Sequence, residues 1–197
     1  MLTKYFETLT LSFIQGVSEF LPISSSAHLL LTSKLFNYKS SSLIIDISLH
    51  LGSLLAIIFY FRKDLINFFQ NKNLALLIIF GSIPLIVFGF LLHASNLIYY
   101  LRNIEIIAWT TLIFGILLYF SDRLKIKKSF DNDLNLKNIL IIGLFQILAL
   151  IPGVSRSGIV ITASRFLNFD RYDSLKISFY LSIPALAGAS ILGLKDA

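Results

Sequence analysis

Gln15-Gly-Val-Ser-Glu-Phe-Leu-Pro-Ile-Ser-Ser-Ser-Ala-His28 is a polar insertion inside an apolar run that extends over residues 5–31. Proline lacks an amide proton and disfavours helical geometry in the residue before it, so a helix ends near Pro22. Ser24, Ser25 and Ser26 suit the start of a second helix, where side-chain oxygens cap free amides. A second run, residues 138–167, is broken in the same manner by Pro152-Gly-Val-Ser-Arg-Ser-Gly158. Polar breaks in apolar runs survive at membrane depth only where protein or a watery cavity surrounds them. Both runs are therefore read as re-entrant pairs of half-helices.

The rest of the chain agrees with a membrane setting. Of 197 residues, 56% are hydrophobic and only 14% charged, against about 25% charged in a typical soluble domain. One small globule cannot hide that much apolar surface. Residues 43–61, 74–92, 104–120 and 177–194 read as four spanning helices, each near the length needed to cross about 30 Å of hydrocarbon. Glu7 and Glu19 interrupt the N-terminal run, so it is not read as a cleaved signal peptide. There is no cysteine, which excludes disulfides and thiol chemistry.

The formal charge of +6 lies mainly between the apolar runs. Arg62, Lys63 and Lys72 fall in one loop; Arg123, Lys125, Lys127, Lys128 and Lys137 fall in another. Two spans separate these loops, which places both on the cytoplasmic side and the loop around Arg102 outside. No aromatic-interleaved basic groove appears, so nucleic acid is not expected as a partner. On this topology the first broken run enters from outside and the second from the cytoplasm.

Internal similarity points the same way. Gln15, Pro22, Ser24 and Ser26 resemble Gln146, Pro152, Ser155 and Ser157, and His50-Leu-Gly-Ser-Leu-Leu-Ala resembles Tyr180-Leu-Ser-Ile-Pro-Ala-Leu at an offset of 130. Corresponding interruptions in two halves point to a midplane site between inverted repeats. The expected fold is all-α, a polytopic membrane protein of two inverted repeats, each with a re-entrant helix pair. Residues 1–197 form one integral membrane domain: 1–120 the first repeat, 121–137 a basic cytoplasmic loop, and 138–197 an incomplete second repeat. That second repeat stops at Ala197, two helices short of the first.

The two breaks carry the chemistry. Glu19 within the bilayer is costly and marks a functional site. Arg156 presents a fork of donors matched to phosphate oxygens, and Ser155, Ser157 and Gly153 beside it add hydroxyl and backbone donors. Together the breaks offer a hydroxyl nucleophile, a proton acceptor and a cation, the parts phosphoryl transfer requires. Glu19 with phosphate oxygens suits a divalent metal that keeps several waters.

These motifs resemble the two signatures of the undecaprenyl-diphosphatase (bacitracin-resistance) family, and Asp46-Ile-Ser-Leu-His-Leu-Gly-Ser53 and Ser178-Phe-Tyr-Leu-Ser-Ile-Pro184 are similar to two further segments. The resemblance implies hydrolysis of undecaprenyl diphosphate to the monophosphate, recycling a cell-wall lipid carrier in the bacterial inner (plasma) membrane. It implies a site open to the outer face and a divalent cation, Mg²⁺ or Ca²⁺. Carried over by position, Glu19, Ser25, His28 and Arg156 are the catalytic group. Ser25 is the candidate nucleophile, and His28 is its rival or its proton partner. Glu19 is base or metal ligand, and Arg156 clamps the diphosphate. Gln15, Ser24, Ser26, Ser155, Ser157, Gly153 and Arg165 are the substrate-binding candidates. Where some members carry a second glutamate, Gln15 stands here and cannot be a base.

Some residues keep two readings. Asp46 and His50, four apart on one helix face, either point to the site or form a structural polar pair. Arg165 is either a second phosphate contact or an interfacial anchor. His93 is read as interfacial, and Trp109, Tyr99 and Tyr100 as aromatic-belt residues. At the level of function, a transporter or flippase for a polyprenyl phosphate or anion shares the broken helices and the intramembrane arginine, and an inactive truncated remnant fits the short C-terminus. Uncovered apolar surface suggests a homodimer.

Overall fold

A computed structural model describes residues 2–38, 43–63, 65, 71–95 and 103–196. Tyr99, Tyr100 and Arg102 lie outside the described residues. The chain folds as helices: α1 (Leu2–Ser18), α2 (Ser25–Leu35), α3 (Leu43–Tyr60), α4 (Lys72–Ala94), α5 (Ile104–Asp122), the single turn α6 (Phe130–Asp133), α7 (Leu136–Gln146), α8 (Arg156–Phe166) and α9 (Arg171–Asp196). A 3₁₀ turn, Ile147–Leu150, extends α7. Among the described residues there is no strand, only an isolated bridge between Lys128 and Phe169.

Among the described residues, three helices are long and apolar enough to cross a membrane: α4, α5 and residues Arg171–Gly193 of α9. The segment expected as a further span, α3, is shorter. Its 18 residues rise only about 27 Å at 1.5 Å per residue. Along α4 the apolar side chains run all round, and Ile79, Phe80, Ile83, Val87 and Phe90 face outward. A helix that is hydrophobic all round and yet exposed in the isolated chain belongs in lipid.

Side-chain oxygens start several helices, each accepting from an amide one turn in: Asn71 from Leu74, Asn103 from Glu105, Asn135 from Asn138 and Ser155 from Gly158, at 3.0–3.2 Å. Close backbone approach joins α4 to α7, where a Cβ added at Gly143 would stand 2.2 Å from the Gly81 carbonyl oxygen. Small residues of this kind let membrane helices pack without a hydrophobic driving force. Around that crossing lies the main core, with Ile78, Ile139, Ile142, Val160, Ile177 and Leu181. A second cluster, Leu54, Ile57 and Leu186 flanked by Phe20, Phe61 and Phe179, joins α3 to α9.

Both polar breaks form helix–break–helix hairpins, α1 on α2 and α7 on α8. The second arms are equal at 11 residues, and 131 positions separate Ser25 from Arg156, Leu35 from Phe166 and Gln15 from Gln146. The sequence offset of 130 read at the prolines is one short of this helix register. The breaks themselves span residues 19–24 and 151–155.

Candidate functional site

The two hairpin tips meet. Ser157 Oγ donates to the Leu21 carbonyl at 2.7 Å, with Ser155 Oγ at 3.5 Å from the same oxygen. A backbone turn with Ser24 at φ 50° and Gly153 at φ 93° shapes the two tips. Gly153 is required twice over: its φ is left-handed, and an added Cβ would stand 2.2 Å from Thr110 Oγ1. From α5, Thr110 and Thr111 donate to the Pro152 and Gly153 carbonyls at 2.7 and 3.2 Å. Those bonds satisfy backbone acceptors that the break leaves open.

At the junction, Glu19 is 7% exposed and takes donors on both oxygens. Arg156 Nη2 donates to Oε1 at 2.7 Å; Ser25 Oγ and Gln15 Nε2 donate to Oε2 at 2.6 and 2.9 Å. The α2 start holds Ser25 against the carboxylate, and the α8 start delivers Arg156 from the other hairpin. A buried charge pair persists only where remaining lone pairs and protons are satisfied, which these donors supply. His50 Nε2 stands 3.9 Å from Glu19 Oε2, while its Nδ1 is 2.8 Å from the Asp46 carbonyl. Gln15 Nε2 also reaches Ser53 Oγ at 3.4 Å. Arg156 Nη1 is buried and has no hydrogen-bond partner among the described residues.

A cavity of about 430 Å³ opens beside this group, within the roughly 300–1,000 Å³ of small-molecule clefts. Glu19, Ser24, Ser25, Ser26, Ser155 and Arg156 line its polar end. Leu85, Ile86, Leu150, Ala185 and Leu186 are among its apolar lining residues. A carboxylate-bound hydroxyl, a guanidinium with a free donor and an apolar continuation together fit an anionic head joined to a hydrocarbon chain.

The candidate residues divide. Glu19, Ser25 and Arg156 come together directly, with Gln15 behind them. Ser24 and Ser155 are the N-caps of α2 and α8, and their hydroxyls pair with Ser26 at 3.4 Å and Ser157 at 3.0 Å. His28 is exposed, its Nδ1 2.9 Å from the Ser24 carbonyl, and it is not among the cavity-lining residues. Of the two readings of Asp46 and His50, both residues line the cavity. His93, read from sequence as interfacial, lines it as well. Trp109 is 65% exposed on α5, consistent with a lipid-facing ring.

Arg165 is not at the cavity. It ends α8, nine residues and about 13 Å from Arg156, and it is 2% exposed. Its Nη2 donates to the Asp122 and Leu124 carbonyls at 2.8 Å each, and its Nη1 to the Phe169 carbonyl. Arg171 pairs with both carboxylate oxygens of Asp122 at 2.7 and 2.6 Å. This cluster ties the basic loop after α5 to the α8–α9 connection, and neither the phosphate contact nor the interfacial anchor describes it.

As a resident metal centre the group fits poorly. No cluster of three or more His, Asp or Glu side chains able to hold a metal occurs among the described residues. Both Glu19 oxygens already accept hydrogen bonds, one of them from a cation.

Comparison with known proteins completes the description. The family model described as "Bacitracin resistance protein BacA" matches residues 8–197. An undecaprenyl-diphosphatase of Pelagibacter ubique is 57% identical over 198 residues, covering 100% of this chain and 77% of that protein. One from Alcanivorax borkumensis is 44% identical, covering 98% of this chain and 77% of the relative, and one from Saccharophagus degradans is 44% identical, covering 94% and 74%.

Proposed function

Because the chain belongs to the BacA bacitracin-resistance family, we infer that it is a membrane phosphatase that hydrolyses undecaprenyl diphosphate to undecaprenyl phosphate and inorganic phosphate. The observation that carries this reading is Glu19 bridging Ser25 and Arg156 at the polar end of a cavity with apolar walls. The diphosphate enters the polar end, and Arg156 Nη1, which lacks a protein partner, is free to hold it. Ser25 is the favoured nucleophile, since its hydroxyl already donates to Glu19 and lines the cavity, whereas His28 does neither.

In the proposed reaction Ser25 Oγ attacks the terminal phosphorus and Glu19 takes its proton. The P–O bond to the lipid phosphate breaks, and the lipid monophosphate leaves with the electron pair. Water then attacks the phosphoserine. Ser25 Oγ departs and recovers its proton from Glu19, and both hydrogens of the water leave with inorganic phosphate. Arg156 balances the charge developing on the phosphoryl oxygens throughout. A divalent cation, Mg²⁺ or Ca²⁺, belongs to this proposal as a companion of the diphosphate, with Glu19 its protein ligand, and it would supply further charge neutralisation there.

The fold is proposed to be two inverted repeats with re-entrant hairpins. The equal 11-residue arms, the common register and the meeting tips support that arrangement. Its setting is proposed to be the bacterial inner membrane, crossed several times. A homodimer is part of the same reading: α1 exposes Tyr5, Phe6, Leu9 and Phe13 along its length, a face for lipid or a second copy.

Phosphate release from undecaprenyl diphosphate by detergent-purified protein, with and without Mg²⁺, tests the reading. Release that disappears in Arg156→Ala supports it. A well-folded wild type that releases no phosphate overturns it and leaves transport of a polyprenyl phosphate as the competing function.

A further inference from the structure

Ser190 lies on α9 and lines the same cavity as Glu19 and Arg156. It is 4% exposed, and its hydroxyl has no hydrogen-bond partner among the described residues. Several other buried helical serines behave differently. Ser18, Ser53, Ser82, Ser164 and Ser182 each donate to a carbonyl one turn back, at 2.6–3.1 Å. That local bond is the ordinary refuge of a serine hydroxyl in an apolar helix. Its neglect at Ser190 leaves a buried donor unsatisfied, and such a group calls for an explanation.

The packing of α9 on α3 places this hydroxyl relative to the site. Gly193 lies against Ile47, Leu186 packs with Leu54 and Ile57, and the Phe179 and Phe61 rings are 5.3 Å apart. The two helices therefore run antiparallel, and in that register Ser190 stands level with His50, the residue that approaches Glu19. Two unsatisfied donors thus border one cavity, Arg156 Nη1 from α8 and Ser190 Oγ from α9. A diphosphate, which presents acceptor oxygens on two phosphoryl groups, is the ligand that answers both.

We propose that Ser190 is a substrate-binding residue whose hydroxyl donates to one phosphoryl group of the lipid diphosphate while Arg156 holds the other. The proposal rests on the diphosphatase reading for its ligand. Rotation about χ1 moves the hydroxyl among its staggered positions, and the residue already borders the cavity. With no protein partner to lose, the hydroxyl serves binding and not the fold.

The test compares wild type, Ser190→Ala and Ser190→Thr of the full chain in detergent. For phosphate release from farnesyl diphosphate, Ser190→Ala is expected to raise KM about ten-fold, the scale of a hydrogen bond to a charged group. Ser190→Thr, which keeps the hydroxyl, stays near wild type. The rise in melting temperature caused by farnesyl diphosphate shrinks in Ser190→Ala, while the rise caused by farnesyl monophosphate does not. Without ligand, Ser190→Ala melts no lower than wild type. An unchanged KM and ligand-induced melting shift in Ser190→Ala overturn the proposal. So does a lower melting temperature without ligand, or equal impairment in Ser190→Thr, since either marks a packing role. If wild type releases no phosphate, the diphosphatase reading fails separately, and the melting shifts decide Ser190.

Discussion

Arg156 Nη2 and Glu19 Oε1 stand 2.7 Å apart across 137 positions of chain, and each comes from the tip of a different helical hairpin. The pair holds the hairpins together and aims Arg156 Nη1, which has no partner, beside the cavity. Lysine carries the charge but not the fork, so it cannot bind Glu19 with one nitrogen and a phosphate with another. Arg156→Lys is therefore expected to lose roughly 10²-fold in kcat/KM, close to the loss in Arg156→Ala. Steady-state phosphate release on matched, folded preparations measures it. Near-wild-type activity in the lysine variant would show that point charge alone suffices.

The assignment of the nucleophile makes a sharper contrast. Ser25→Ala removes the only hydroxyl bonded to Glu19 Oε2 among the described residues and is expected to cost about 10³-fold or more in kcat. His28→Ala changes an exposed ring bonded to the Ser24 carbonyl and is expected to cost less than about ten-fold. Phosphate release from both variants under saturating substrate compares them. A larger loss in His28→Ala would reverse the roles.

Much of this site was legible because its residues violate their surroundings. Glu19 in an apolar run, and Pro22 and Pro152 with serines and an arginine breaking such runs, carry penalties that a buried polar site relieves. Facing was less legible. A helix that is apolar all round has no period to mark its inner side, so His93 gave no sign that it borders the cavity. Arg165 misled for another reason. Sequence separation places it two to three turns after Arg156, but only the return of the chain after α5 brings the Asp122 and Leu124 carbonyls to its guanidinium. His28 is exposed, with its ring on the Ser24 carbonyl, a placement that its residue type does not announce.

Arg165 therefore belongs to stability. Arg165→Ala leaves the carbonyls of Asp122, Leu124 and Phe169 without their donor and opens a buried space, a loss of about 3–5 kcal/mol by analogy with breaking a buried charged network. The expected result is a melting temperature lower by several degrees, with KM for the diphosphate in the folded fraction within about two-fold of wild type. A selective rise in KM at unchanged melting temperature would return Arg165 to the substrate.

Gly153 links backbone strain to the same chemistry. Its φ of 93° is open to glycine and strained for any L side chain, and an added methyl would collide with Thr110 Oγ1. Gly153→Ala must shift either the α5 helix or the break that precedes Arg156, and left-handed strain alone costs on the order of 1–3 kcal/mol. Because Thr110 holds the Pro152 carbonyl at 2.7 Å, displacement of this turn moves the start of α8 and with it the guanidinium. Gly153→Ala is thus expected to lower both the melting temperature and kcat/KM. Thr110→Ser, which keeps the hydroxyl and removes the methyl, is expected to preserve both. If Gly153→Ala lost stability at full kcat/KM, the turn would be holding the fold together without positioning Arg156.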